Sequence, residues 1–445
     1  MSVGPMLKRA LKSIPESMAR PLAYVPFSFR LGFAYKRSVA DIRDAEIADS
    51  AVLDAELLIQ LRSILRAAVK EVDFYRDFYR SKGFAPDDLR TLADWGQVPV
   101  VSKSELQGVP LVARCARGAK GIVANTGGTS GRPLEFLLDK EAIPREWAHI
   151  HHIWRARGYR PEHLKLRFTG KYFDGIEALH YHPMHNEYIV NANSPMSLVV
   201  DAISALPSST VPRWVHGYPS LVAEFAHTMA DQAPSVAAMF RARLFGVLLG
   251  SEFPVPVYRD VIEKILSTNV ISWYGHSEMA MLAHETARGV YESLPTYGYV
   301  EAIPSDDGSG DRLVCTSLHN RTHPFIRYDT GDLIEPISHQ RGSLAFHIRE
   351  GRVGDFVLDR AGKKLALTSI IFGRHHIAFE SLQHLQVSQN FPGRITLLVV
   401  PRSSNFDLAA LSRSFDFSGL NLDWEIEIID SPVRTPAGKI RLKVC

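Results

Sequence analysis

Six consecutive residues, Thr126-Gly127-Gly128-Thr129-Ser130-Gly131, hold three glycines and three hydroxyls directly after the apolar Ile122-Val123-Ala124. Without Cβ atoms in the way, such a loop can turn several backbone N–H groups and hydroxyls on one anion, and the chemistry that suits it is phosphate binding. The spacing is neither G-x-x-x-x-G-K-[ST] nor G-x-G-x-x-G, so the loop is of neither the Walker nor the dinucleotide type. Alone, it reads equally well as a surface turn. Four further clusters follow: Trp273-Tyr274-Gly275-His276-Ser277-Glu278, then Ile326-Arg327-Tyr328-Asp329-Thr330-Gly331-Asp332-Leu333, then Gly351-Arg352-Val353-Gly354-Asp355, and last Arg434-Thr435-Pro436-Ala437-Gly438-Lys439-Ile440. Taken singly, Asp332 reads as readily as a turn closer as a ligand, Glu278 as readily as the start of a solvated helix, and Lys439 as a surface lysine.

The elements that must position these groups alternate. Leu53, Leu57, Leu61, Ile64, Leu65 and Ala68 repeat at the 3.6-residue period of a helix with one buried face. Ser102 and Glu105 have capping-box spacing. Leu244 to Leu249 and Val270 to Tyr274 are predicted strands, and Leu221 to Met229 and Val257 to Leu266 predicted helices, which is α/β architecture. Around residues 336–352 the chain turns polar and glycine-bearing. The remainder is a small α+β unit, with strands over Ile395–Val400 and Trp424–Ile429 flanking a helical Phe406–Phe415. The expected division is therefore 1–348 and 349–445.

The order and identity of the five clusters resemble the adenylate-forming superfamily of acyl-CoA synthetases and adenylation domains, and more closely phenylacetate-CoA ligases and CapK-type capsular polysaccharide biosynthesis proteins. Phe74-Tyr75-Arg76-Asp77 and Leu313-Val314-Cys315-Thr316-Ser317-Leu318-His319-Asn320 add to that resemblance. It implies a large multi-sheet N-terminal adenylation domain that binds ATP and an acid, followed by a small mobile α+β domain carrying a catalytic lysine. By the same resemblance, Thr126, Gly127, Gly128, Thr129, Ser130 and Gly131 cradle the β- and γ-phosphates. Glu278, helped by Thr126 or Thr129, takes Mg²⁺; Tyr274 forms an adenine wall, with Gly275, His276 and Ser277 in the same segment; Gly250-Ser251-Glu252 passes the other side of the base. Asp332 accepts the ribose hydroxyls with Arg352 close by, and Lys439 reaches the acyl carboxylate and α-phosphate. The implied reaction converts a carboxylic acid and ATP to an acyl-adenylate and pyrophosphate, after which a nucleophile, foremost CoA, displaces AMP. Acyl or AMP transfer to an amine, hydroxyl or coenzyme acceptor, or a nucleotide-binding scaffold without turnover, are the alternatives.

Some positions depart from the pattern. Arg132 stands where many relatives have Lys, Gly354 where they have an acidic or lysine hinge, and Ala283-His284-Glu285-Thr286-Ala287-Arg288 lacks the cysteines of the zinc cluster that some relatives carry there. His149, His151 and His152, and then His180, His182 and His185, read as pocket-wall imidazoles before they read as metal ligands. Lys171, His180, Tyr181, His216, Gly217 and Tyr218 lie in segments that can border an acyl pocket, and polar groups there suit an acid bearing hydroxyl or carboxyl substituents.

Composition closes off other classes. The 445 residues are 46% hydrophobic and 22% charged, so the chain can bury full cores. A net charge of +3 is too small to argue for a nucleic-acid partner. The excess sits in residues 1–37, a basic arm that can touch an anionic membrane surface or simply pack with its charges solvated. No apolar stretch approaches the roughly 18 to 20 residues of a membrane span, and no secretory leader is visible, so a cytoplasmic protein is expected. Cys115, Cys315 and Cys445 are too dispersed for a disulfide framework.

Overall fold

The computed structural model describes residues 15–126, 134–169, 177–192, 194–254, 256–305, 310–350, 356–362, 364–367, 370–371, 376, 378, 381–403, 406–434 and 440–444. These fall into two compact units. The first is drawn from Tyr24–Arg160 and Trp273–Arg352, the second from Pro15–Ala23, Pro161–Ser272 and Val353–Cys445.

In the first unit, antiparallel pairing sets the strands in the order Trp273–Gly275, Leu282–Ala287, Val290–Ser293, Ser343–Glu350, Tyr328–Gln340, Asp311–Ser317 and Gly298–Pro304. Helix Ser50–Glu71 buries Leu57, Leu61, Ile64, Leu65 and Ala68, the stripe its periodicity predicts, in one core with Trp95, Phe136, Phe325 and Phe346. Ser102 caps helix Lys103–Gln107 through the reciprocal bonds of a capping box. Gly298 admits no side chain, since a Cβ there would lie 1.9 Å from the carbonyl oxygen of Ala280. Upstream in this unit, Pro26 precedes a single-turn helix, Phe27–Arg30, and a long helix begins only at Phe33–Ile47.

Arg327 ties this unit together. Its guanidinium makes a forked ion pair with Glu301 at 2.9 and 3.0 Å and donates to the carbonyls of Gly96, at 2.8 Å, and Val98. Glu301 also accepts the Trp95 indole N–H at 3.1 Å. The Arg327 backbone adopts a left-handed φ of 43°, and its N–H and C=O are taken by the Thr316 hydroxyl and the Val101 N–H. Strand Gly298–Pro304 and the segment through Gly96 and Val98 therefore meet on one side chain.

In the second unit, strands Glu187–Val190, Lys165–Phe168, Trp214–Gly217, Gly246–Leu249 and Val270–Ser272 run parallel in that order, with Leu179–His182 antiparallel at the edge. Helices Met196–Ser204, Pro219–Gln232, Pro234–Arg243 and Pro256–Leu266 bury their apolar faces with Leu166, Phe168, Val215, Val247 and Leu249. The C-terminal part forms a four-stranded sheet in the order Asp423–Ile428, Arg394–Pro401, Leu382–Phe391 and Lys443–Val444, around a core that includes Phe415, Phe417 and Val399. The predicted helix over 406–415 is shorter, Leu408–Arg413: Asp407 caps it, and Phe415 and Phe417 turn inward. No described helix is long and apolar enough to cross a membrane.

Removing one partner of a buried ion pair strands the other. Arg327→Ala is expected to lower unfolding free energy by about 3–5 kcal/mol, and Arg327→Lys to recover only part because an ammonium lacks the fork. Denaturant titration checks this, and a wild-type midpoint for Arg327→Ala would refute the clamp.

Candidate nucleotide site

The glycine- and hydroxyl-rich loop joins a hairpin, Ile122–Asn125 paired antiparallel with Glu135–Leu138. Thr126 is buried at its neck, where its hydroxyl oxygen accepts the Leu134 N–H at 2.9 Å and its own N–H donates to the Leu134 carbonyl at 3.0 Å. Gly127, Gly128, Thr129, Ser130 and Gly131 lie outside the described residues, as do Arg352, Lys439, Arg132, Gly354 and Lys171.

Tyr274, Glu278 and Asp332 belong to the first unit, and two of them touch. The Tyr274 hydroxyl donates to Asp332 Oδ2, so the expected adenine wall and the expected ribose carboxylate form one bonded pair. The turn ahead of Asp332 is closed by its neighbours. Asp329 accepts the Gly331 N–H at 2.9 Å, the Thr330 hydroxyl donates to the Leu313 carbonyl at 2.8 Å, and Gly331 takes a φ of 78° that a side chain would oppose. Asp329 is itself held by Arg312 at 3.0 Å. Turn closing thus falls to Asp329 and Thr330.

Glu278 is buried. The Tyr328 hydroxyl lies 3.1 Å from Oε1, and His276 Nδ1 lies 3.3 Å from Oε2. The other ring nitrogen of His276 is 3.6 Å from the Cys315 sulfur, whose thiol is pushed well above its ordinary value by burial, with nearby carboxylates adding to the effect. Gly275 and Ser277 are exposed. A hard, buried carboxylate oxygen is the donor type Mg²⁺ selects, so Glu278 fits the expected ion. Among the described residues no group of three or more His, Cys, Asp or Glu side chains is arranged to hold a metal.

Gly250-Ser251-Glu252 lies in the second unit, at the end of strand Gly246–Leu249, with Ser251 at a left-handed φ of 68°. Glu252 takes a part that its motif did not foretell. Oε2 accepts the Ser220 hydroxyl at 2.8 Å, and Oε1 accepts the backbone N–H of Ile440 at 3.0 Å. Ile440 directly follows Lys439, and its side chain is buried in the core of the parallel sheet. Glu224 supports the same junction, with His384 at 3.3 Å and Arg434 at 3.4 Å. Burial would raise the Glu224 carboxyl, but His384 and Arg434 outweigh it and hold it below its ordinary value.

Sequence reasoning missed Glu224, His384 and Glu146. Glu146, on helix Ala142–Arg155, is half-exposed yet enclosed by protein; burial pushes its carboxyl up to about 7, with His276 of the glutamate cluster opposing. Nothing in its local sequence distinguishes it from a solvated helix carboxylate.

No protein-family model matches the chain. Protein CapK of Staphylococcus aureus is 20% identical over 388 residues, covering 84% of this chain and 85% of CapK. The phenylacetate-coenzyme A ligase of Escherichia coli (strain K12) is 27% identical over 306 residues, 65% of this chain and 68% of the enzyme. Among solved structures, 2-hydroxyisobutyryl-CoA ligase in the postadenylation state, in complex with R3-HIB-AMP, aligns with a TM-score of 0.65 at 19% identity over 88% of this chain and 89% of that one. The fold is that of the adenylate-forming ligases. Sequence relatives and fold together are those of the adenylate-forming superfamily, as the five clusters imply.

A carboxyl raised from 4.5 to about 7 binds more protons in the folded than in the unfolded state across that interval, so its contribution to stability falls as pH rises through it. Glu146→Gln, neutral throughout, is expected to melt close to wild type near pH 5 and above it near pH 8. Thermal melts across that range check this, and a gap independent of pH would refute it.

Proposed function

We propose that this chain is an AMP-forming acid ligase that activates a carboxylic acid as its acyl-adenylate and passes the acyl group to CoA. The observation that carries this reading is the bond from Ile440 N–H to Glu252, which anchors the residue next to Lys439 on the segment that resembles the wall of an adenine site.

The chemistry follows from charge. A carboxylate oxygen attacks the α-phosphorus of ATP while the bond to the bridging oxygen breaks and pyrophosphate leaves. Both reactants are anions, so the site must supply positive charge and N–H donors in fixed positions. Lys439 supplies the cation between carboxylate and α-phosphate, and the 126–131 loop supplies donors to the phosphates being released. Glu278 would hold Mg²⁺, which when bound neutralises phosphate charge. Asp332, steadied by Tyr274, accepts the ribose hydroxyls. No general base is needed in this step, since the acid is already ionised at neutral pH. In the second step the CoA sulfur attacks the acyl carbon, AMP leaves with the bonding pair, and the thiol proton passes to solvent. Residues 349–445 act as the small domain that brings Lys439 to the first step.

A second reading of the acceptor puts a hydroxyl or amine in place of the CoA thiol. The acyl-adenylate is a mixed anhydride open to any well-placed nucleophile, so the first step is common to both.

ATP–pyrophosphate exchange isolates that first step. Across a panel of aryl, hydroxy, amino and fatty acids, wild type is expected to show acid-dependent exchange, and Lys439→Ala to lower it by about 10²–10³-fold, as loss of a charge-stabilising donor does. Glu252→Gln is expected to lower the exchange kcat about tenfold, the loss of one charge-assisted bond, through poorer placement of Lys439. Exchange that survives Lys439→Ala unchanged would end the proposal.

A further inference from the structure

Over residues 24–37 the basic arm divides into side chains that pack and side chains that do not. Phe27 is buried, its ring stacked on His151 with centroids 4.0 Å apart, and the Arg30 guanidinium lies 3.9 Å from the Phe27 centroid. The Tyr35 hydroxyl is 3.1 Å from His151 Nδ1. One imidazole of helix Ala142–Arg155 thus anchors both Phe27 and Tyr35. The other rings of the segment stay in water: Tyr24 is 80% exposed, Phe29 78% and Phe33 70%, and among the described residues the only other aromatic side chain as open is Phe391 at 72%. Single exposed apolar residues are ordinary on a protein surface, but three aromatic rings within ten residues are not.

Covalent geometry keeps these rings together. Phe29 and Phe33 are four residues apart, on either side of a turn through Leu31 and Gly32, the latter at a φ of 85°. Their Cα atoms are therefore separated by at most about 14 Å. In helix Phe33–Ile47 the buried Ala34, Tyr35, Ser38 and Ile42 form one face, and Phe33, Lys36 and Arg37, spaced i, i+3 and i+4, lie on the opposite one. The Arg37 guanidinium is 5.9 Å from the Phe33 centroid and pairs with Glu141 at 2.6 Å. Lys36 is exposed and has no ion-pair partner among the described residues. The first acid after Phe33 is Asp41, roughly 12 Å further along the helix axis.

Charge indicates what such a surface fits. Residues 24–37 carry Arg30, Lys36 and Arg37 and no acid, and residues 1–14, which lie outside the described residues, add Lys8, Arg9 and Lys12 and again no acid. The one carboxylate of the first 37 residues, Glu16, is bonded to Arg20. A second copy of this chain laid on the same patch would bring like charges together. An anionic bilayer instead offers an apolar interior to the rings and negative headgroups to the cations, and it requires no shaped partner groove. Tyrosine, with a polar tip on an apolar ring, is a residue type enriched at that boundary.

We propose that Tyr24, Phe29, Phe33 and Lys36 form a docking surface for an anionic lipid bilayer, the rings entering the headgroup layer while the cations of the arm meet the lipid charge. The inference goes beyond the ligase reading and stands whether or not that reading holds. Neither part is enough for firm attachment: a few rings or a few charges alone bind marginally, so the expected contact is peripheral, reversible and sensitive to salt.

The test is sedimentation of the full-length chain with sucrose-loaded vesicles, of phosphatidylcholine alone or of phosphatidylcholine mixed equally with phosphatidylglycerol, at low and at high salt. The mixed vesicles are expected to bind the chain at least about tenfold more tightly than the neutral ones, and high salt to remove most of that difference. Phe29→Ser and Phe33→Ser are each expected to weaken binding about tenfold, and Lys36→Gln about fivefold. All three side chains already face water, so thermal midpoints stay at the wild-type value and a loss of binding is not a loss of fold. No binding to mixed vesicles, or equal binding to both compositions, overturns the surface. Binding that the double substitution Phe29→Ser with Phe33→Ser leaves unchanged also overturns it, by assigning attachment to cations elsewhere in the chain. Self-association without lipid that the same double substitution abolishes would give the patch to a second copy and overturn the bilayer.

Discussion

A buried guanidinium has to be matched on every side, and in the first unit that requirement falls on Arg327. Its fork is filled by Glu301 and its remaining bonds by the carbonyls of Gly96 and Val98, so strand Gly298–Pro304 and the turn ending at Gln97 are fixed relative to the residue at which strand Tyr328–Gln340 begins. Burial keeps the Glu301 carboxyl above its ordinary value even with Arg327 and Trp95 bound to it. The pair is thus a poor source of stability and a strict source of geometry. The consequence lies one and five residues further on, where Tyr328 reaches Glu278 and Asp332 meets Tyr274.

The second unit applies the same rule with carboxylates at the centre. Glu187 pins Lys165 and Arg167, Glu252 joins Ser220 to Ile440, and Glu224 collects His384 and Arg434. In each case one buried or half-buried anion draws together segments far apart in sequence. Apolar packing could hold the same segments, but it is non-directional and would not set donors to within the tolerance that phosphoryl and acyl transfer require.

Much of the fold was legible because its signals are local. The period-3.6 stripe of helix Ser50–Glu71, the capping box at Ser102 and the apolar runs at Gly246–Leu249 and Arg394–Pro401 each lie within one short window. The site was legible only as letters. Asp332 and Tyr274 belong to recognised clusters, but their bond depends on strand register, including the shifts where Tyr328–Gln340 pairs with its neighbours, and no window contains that. Glu301, Glu187 and Glu224 were invisible for the same reason, since a carboxylate in a strand or helix looks solvated until its distant cation arrives. The short helix Leu408–Arg413 shows the converse: apolar Phe415 extends the predicted pattern, yet tertiary packing claims it for the core.

The junction near Lys439 combines one apolar plug with several polar ties, and that balance bears on a two-step reaction. If the lysine served both steps from one position, a wholly apolar seam would serve best. Instead, most of the named contacts are charge-assisted hydrogen bonds to Glu252 and Glu224, each worth about 1.5–3 kcal/mol when formed and replaceable by water when broken. Only Ile440 adds a buried aliphatic side chain. Such a seam can be directional when closed without being permanent, which is what the ligase reading asks of it: Lys439 is needed while pyrophosphate leaves, and the acceptor must then reach the acyl carbon it had covered.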